Sequence, residues 1–323
     1  MQTLNQDIKD RSFKRAYLLF GEETFLIRSY KNRLRQAIAG GDTMNVNQFE
    51  GKGLDVKELI SLADTMPFFS ERRLILVEDS GLFKAASDEL AAYLPSMPES
   101  TCIIFTESAV DKRNKLFKRV KELGHAAEFA RQDAASLARW AAGILAQDGK
   151  KIRSSTMELF LERTGDDMEN IRMELEKLIS YTLGREEITA RDVEEICTVQ
   201  VTNRIFEMVT AIVTRKPQRA MDLYEDLLTL KEPPMRILFL IARQFNQLLQ
   251  VKDMAAAGAD KSAIASRLKV PPFVAGKMLP QARAFSREQI ISYVSACAEY
   301  EEDVKTGRMQ DRIAVELLIA REY

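Results

Sequence analysis

Residues 16–30 read AYLLFGEETFLIRSY. An apolar run over 16–20 stops at Gly21, and Leu26, Tyr30, Leu34 and Ile38 then recur at four-residue spacing, so a strand turns directly into a helix. In an α/β protein this first strand–turn–helix unit is where a phosphate is cradled, by successive backbone N–H groups of a Gly-rich turn and by a Lys. Here the turn holds Gly21 and two carboxylates, Glu22 and Glu23. Anionic side chains at a helix N-terminus occupy and oppose the position that a phosphate needs. No GxxxxGK or GxGxxG occurs elsewhere, since Gly51 and Gly53 are followed by Val56. The layout is that of a nucleotide-binding domain without its nucleotide chemistry.

Outward from this unit, strand and helix patterns keep alternating. Short apolar runs at 46–50, 73–77 (RLILV) and 101–106 (TCIIFT) read as strands, as does 126–129. Helical patterns cover 56–65 and the basic stretch 111–123. This alternation predicts a mostly parallel sheet. After residue 132 no further strands are expected. Gly165 ends one helix, and Thr189 with Asp192 forms a capping pair that opens another. Pro233–Pro234 opens a long helix with Ile237, Ile241, Phe245, Leu248 and Leu249 on one stripe and Gly258 beyond its end. Ser286 and Gln289 make a capping box ahead of Ile290, Val294 and Cys297. The expected class is α/β plus all-α, divided into an α/β domain at 1–132, a small helical domain at 133–203 and a larger helical domain at 204–323.

Composition narrows the function. A chain of 323 residues suits two or three domains, and 46% hydrophobic with 29% charged residues is the make-up of a folded protein. Forty-seven Lys and Arg against 48 Asp and Glu leave a formal charge of −1, which argues against a protein that coats DNA. Three widely separated cysteines, Cys102, Cys197 and Cys297, make no disulfide framework and point to a reducing compartment. A lone histidine, His125, builds neither a zinc site nor a Ser-His-Asp arrangement. The acidic pairs Asp166–Asp167 and Glu186–Glu187 read as solvated helix starts rather than acid/base machinery. No run reaches the ~18 apolar residues of a membrane span, and the N-terminus lacks the apolar core of a signal peptide. The expectation is a cytoplasmic chain with no catalytic residue, metal or cofactor.

Five phrases carry a family likeness: YLLFGEETFLIRSY (17–30), TMPFFSERRLILVED (65–79), IIFTESAVDKR (103–113), ERTGDDMENIRMELEKL (162–178) and VKTGRMQDRIAVELLI (304–319). In this order, over nearly the whole chain, they resemble the delta subunit of bacterial DNA polymerase III clamp loaders. The resemblance implies a P-loop-less AAA+-like parallel-sheet domain, a helical lid domain and a C-terminal collar that joins the other loader subunits, gamma/tau and delta-prime. It implies no enzyme activity of its own. The subunit would bind the sliding clamp (beta) and favour its opened form for loading onto primer-template DNA, with ATP hydrolysed by other subunits. The Ser-Arg-Cys motif that presents an arginine finger in clamp-loader relatives is absent, which separates this chain from the ATPase and delta-prime types. A non-ATPase scaffold or adaptor for another ring or helicase loader is the competing reading, and an enzyme with an unrecognised nucleotide site a third.

The family's clamp contact is a hydrophobic turn between the second helix and the next strand, and by position it falls on Met66, Phe68 and Phe69. Pro67 cannot donate a backbone hydrogen bond and biases Met66 away from helix, so the helix should end there. Ser70-Glu71-Arg72 sets the aromatic pair against a polar stretch. On residues alone, Phe68 and Phe69 read rather as closing the domain core, and it is the resemblance that favours the clamp contact. A second candidate is the basic segment with Lys112, Arg113, Lys115, Lys118, Arg119 and Lys121. With Leu116, Phe117 and Val120 on one face, its cations form either a surface for phosphates or the clamp, or a solvated helix face.

Overall fold

Strands buried on both faces carry apolar side chains at nearly every position, and such strands organise the first half of the chain. β1 (Ala16–Gly21), β3 (Arg73–Glu78) and β4 (Thr101–Glu107) are buried almost throughout. β2 (Val46–Glu50) and β5 (His125–Phe129) lie at the two edges. The order is β2-β3-β4-β1-β5, all parallel, with Leu18 opposite Phe105 on one side and Ala126 on the other. Leu18, Phe20, Ile75, Val77, Ile103 and Phe105 belong to one core with Leu59 of α3 (Val56–Ala63), Leu90 of α4 (Asp88–Tyr93) and Leu116 and Val120 of α5 (Lys115–Leu123). Packed on β1, β3, β4 and β5 is α2 (Thr24–Ala39), with α1 (Gln2–Asp10) against it. The Tyr17 hydroxyl ties α1 to β1 by donating to the Asp7 carboxylate at 2.9 Å.

The computed structural model describes residues 1–321 apart from 86, 200, 269 and 271, and it divides into two compact units, Met1–Gln132 and Asp133–Tyr323. Two details of the first unit differ from the sequence reading. The basic helix begins at Lys115 instead of 111, because the Asn114 side chain caps it by accepting from the Leu116 N–H at 2.7 Å. The helix expected over 56–65 ends at Ala63, just before the Met66–Pro67 dipeptide.

In the second unit, α6 (Ala134–Gln147), α7 (Ser154–Thr164), α8 (Met168–Tyr181) and α9 (Ala190–Ile196) follow, with the Thr189/Asp192 capping box complete. The expectation of no strands beyond 132 is corrected. β6 (Lys151–Ile152) pairs in parallel with β7 (Glu187–Ile188), and Glu186 and Glu187 are ion-paired there with Lys151 and Arg153. Two-residue strands are too short to show a period. Asp167 does open a helix, its carboxylate accepting from the Asn170 N–H at 2.9 Å. Buried Glu174 of α8 accepts from the Thr198 N–H and pairs with Lys177 at 2.6 Å. The remaining helices are α10 (Val201–Val213), α11 (Pro217–Thr229), α12 (Pro234–Ala256), α13 (Lys261–Leu268), α14 (Pro272–Ala284), α15 (Arg287–Lys305) and α16 (Asp311–Ala320). The apolar stripe of α12 forms their centre: Ile237, Ile241, Phe245 and Leu248 are fully buried, while Leu249 packs at the margin.

All three cysteines are buried and unpaired. Burial pushes each thiol up to about 12. Since only the thiolate attacks, a thiol-reactive dye at pH 8 should leave the native protein unlabelled and modify three groups once denaturant is added.

Candidate functional site

At the N-terminal end of the first helix after β1, the backbone is closed to a phosphate. The Glu23 N–H donates to the Phe129 carbonyl at 3.0 Å. Gly21 has φ of +132°, and a Cβ there would lie 2.3 Å from the same oxygen, so this turn is packed onto β5. Beside it, at the C-terminal ends of β3 and β4, is a cavity of about 320 Å³ lined by Thr24, Ile27, Arg28, Lys31, Glu78, Asp79, Thr106, Glu107 and Ser108. Lys31 is committed to Glu78, with Nζ donating to both carboxylate oxygens at 2.8 and 2.6 Å. Three carboxylates face this space, which disfavours an anionic ligand.

Glu107 is buried, and that burial raises its carboxyl above the usual range, offset in part by donation from the Ser80 hydroxyl at 2.6 Å and from the Gly81 N–H. A carboxyl raised in the folded state favours folding below its unfolded value, and that contribution is lost as pH rises through the folded value. Glu107→Gln keeps the acceptor and removes the buried charge. Its melting temperature should exceed that of the wild type at pH 8, with the gap shrinking toward acid pH; an equal gap at both ends would contradict this.

The turn after α3 gathers three exposed large apolar side chains within four residues. Met66 is 81% exposed, Phe68 57% and Phe69 96%. Neither ring joins the core. The rings meet edge to face with centroids 4.5 Å apart, and Phe69 has φ of +49°, in the left-handed region. For a residue with a Cβ that conformation costs roughly 1–2 kcal/mol and persists only where neighbours impose it.

Two buried side chains from outside the turn hold it. Asn45, 1% exposed, accepts from the Phe68 N–H at 2.6 Å and donates back to the Phe68 carbonyl at 2.9 Å. Its second amide hydrogen goes to the Asp42 carboxylate at 2.7 Å, and that bond is the main reason the Asp42 carboxyl sits below its ordinary value. Arg73, at the start of β3 and 7% exposed, donates to the Thr65 and Met66 carbonyls at 3.0 and 3.3 Å and to the Asn47 side chain at 2.9 Å. None of Asp42, Asn45 and Arg73 stood out in the sequence. Their partners lie up to 26 residues away, and β2–β3 pairing is what brings them together.

Carboxylates inside and outside the basic segment neutralise much of it. Leu116, Phe117 and Val120 are buried, as their spacing implies. Lys112 pairs with Glu128 at 2.6 Å, Arg113 with Asp111 at 2.9 Å, Lys115 with Asp88 at 2.9 Å and Arg119 with Glu122 at 2.8 Å. The charge of Lys118 adds to the Arg113 contacts that hold the Asp111 carboxyl down at about 2. Exposed pairs of this kind contribute little to stability, because solvent screens them. His125 begins edge strand β5, half-buried, and burial lowers its imidazole. No group of three or more potential metal ligands converges among the described residues, and no helix among them is long and apolar enough to cross a membrane.

Comparison with known proteins addresses the whole chain. The family model described as DNA polymerase III, delta subunit, matches residues 17–130, and the model for the C-terminal domain of the DNA polymerase III delta subunit matches 202–321. The DNA polymerase III subunit delta of Bacillus subtilis is 29% identical over 317 residues, covering 94% of this chain and 91% of the relative. A probable DNA polymerase III subunit delta from Aquifex aeolicus is 20% identical over 265 residues, covering 76% and 73%. The solved structure of the Bacillus subtilis DNA clamp loader delta protein superposes with a TM-score of 0.73 at 27% identity, over 99% of this chain and 98% of that one. That match carries both the parallel-sheet α/β domain and the helical C-terminal region. With both halves matched by models of one family and a relative aligned across nearly the full length, the chain belongs to the DNA polymerase III delta subunit family.

Proposed function

We propose that this chain docks on the sliding clamp through Met66, Phe68 and Phe69 and favours the opened ring, with ATP hydrolysed by other subunits of the loader. The observation that carries this reading is the turn itself: three large apolar side chains within four residues, all exposed, on a backbone held by buried polar groups. Full burial of such side chains is worth about 1.5–3 kcal/mol each, so three supply several kcal/mol against the cost of association. A binding protein opens a ring only by holding the open form more tightly than the closed one. The chain therefore needs no catalytic residue, cofactor or metal, and acts as a non-enzymatic subunit in the cytoplasm.

Within the same reading, residues 1–132 are the AAA+-like domain, 133–203 the lid and 204–323 the collar that meets the gamma/tau and delta-prime subunits. Exposed Phe239, and Ile313 and Leu317 one turn apart on α16, are apolar positions suited to such a contact. Primer-template DNA is met in the assembled complex. Lys112, Arg113, Lys115, Lys118 and Arg119 are the electrostatic candidates for DNA or the clamp, and the ion pairs of Lys112, Arg113, Lys115 and Arg119 suit a weak, salt-sensitive contribution. The test is a clamp carrying a fluorescent donor and acceptor across one of its interfaces. Adding this chain without nucleotide should lower energy transfer at saturation. Binding with unchanged transfer would leave a docking protein that does not favour opening.

A further inference from the structure

We infer that Asn45 is the positioning residue of the docking turn: its buried amide sets the conformation in which Phe68 and Phe69 are presented. This rests on the clamp-docking reading of that turn. The amide has a single consistent orientation. The Phe68 N–H is a donor, so it must meet Oδ1, while the Phe68 carbonyl and the Asp42 carboxylate only accept, so both must meet Nδ2. Holding both the N–H and the C=O of Phe68 ties down the two peptide units that flank its Cα and leaves that residue little backbone freedom, and the next residue is the one held at positive φ. Asp42 in turn fixes the clasp by accepting from the Met44 and Asn45 backbone N–H groups at 2.8 and 3.2 Å. Arg73 holds the carbonyls of Thr65 and Met66, ahead of the clasp in the chain. Without the clasp, Phe69 is free to leave its strained conformation, and the docking-competent turn becomes a minor population. Apparent affinity falls by that fraction.

The experiment uses the full chain and its sliding clamp, with affinity and association rate measured for wild type, Asn45→Ala and Asn45→Asp. Asn45→Asp keeps the size and the acceptor but has no hydrogen to give the Phe68 carbonyl or Asp42. Both variants should lose at least tenfold in affinity, mainly in association rate, while circular dichroism stays that of the folded protein. A merely structural role is separated by a cycle: in a Phe69→Ala background, Asn45→Ala should cost less than it does in the wild type, because one of the two rings it positions is gone. Wild-type affinity in both folded variants, or an undiminished loss in the Phe69→Ala background, would overturn the assignment. Should the Asn45 variants unfold, Asp42→Ala, at a half-exposed loop residue, carries the test: at least a threefold loss supports the clasp and none overturns it. No binding by wild type, or no loss from Phe68→Ala, removes the docking reading and the positioning role with it.

Discussion

Replacing Phe68 and Phe69 together by alanine should weaken binding to the sliding clamp by more than a hundredfold, about 3 kcal/mol or more, and either ring alone should cost about 2 kcal/mol. Both rings are exposed and outside the core, so melting temperature and circular dichroism should stay near those of the wild type. Loss of the edge-to-face pair at 4.5 Å removes only about 0.5–1.5 kcal/mol from the free chain. Alanine also carries a Cβ, so Phe69→Ala brings no relief at the positive φ, and what changes is the apolar surface offered to the partner. Surface plasmon resonance against immobilised clamp checks this. Unchanged affinity in a folded double variant would remove the turn from the contact, and unfolding would make the rings structural.

The second large effect lies in the other unit. Phe245 is fully buried in α12, stacked on Tyr293 with centroids 4.4 Å apart and planes 5° from parallel, with Phe285 at 5.9 Å. Phe245→Ala should destabilise this unit by about 3–5 kcal/mol, since both the transfer energy of the ring and the cavity it leaves count against the fold. Thermal unfolding followed by calorimetry measures this. The turn with Phe68 and Phe69 belongs to the first unit, so, on the proposed docking role, clamp affinity at temperatures below the lowered transition should stay within a few-fold of the wild type. A stability change under about 1 kcal/mol would mean that α15 closes over the gap.

The strands at 73–77 and 101–106 were legible because both of their faces are buried, which leaves apolar side chains at consecutive positions. The helix at α12 was legible because its buried stripe has a clean helical period and Pro233–Pro234 marks its start. Missed elements are those with little burial to pattern them. In α1 only Leu4 and Asp7 are buried, and Asp7 is there as a partner for the Tyr17 hydroxyl. The β6–β7 pair has two residues per strand. For the candidate site, Pro67 and the run of apolar residues marked the turn, and the family likeness separated a docking role from a core role. Exposure settles the core alternative, because both rings face solvent. Long-range partners were invisible. The Asn45 clasp spans 23 residues, and the carboxylates that neutralise Lys112 and Lys115 lie 16 and 27 residues away. A cationic run in sequence is therefore a poor guide to a cationic surface until the acids packed beside it are known.

The most direct measurement is calorimetric titration of the purified chain into its cognate sliding clamp, without nucleotide. The expected result is saturable binding with a negative heat-capacity change, the mark of apolar surface leaving water, and its loss in the Phe68→Ala/Phe69→Ala chain that still folds. No heat of binding at micromolar concentrations, with an intact fold, would contradict the docking reading and favour a scaffold that meets only the other subunits of its ring.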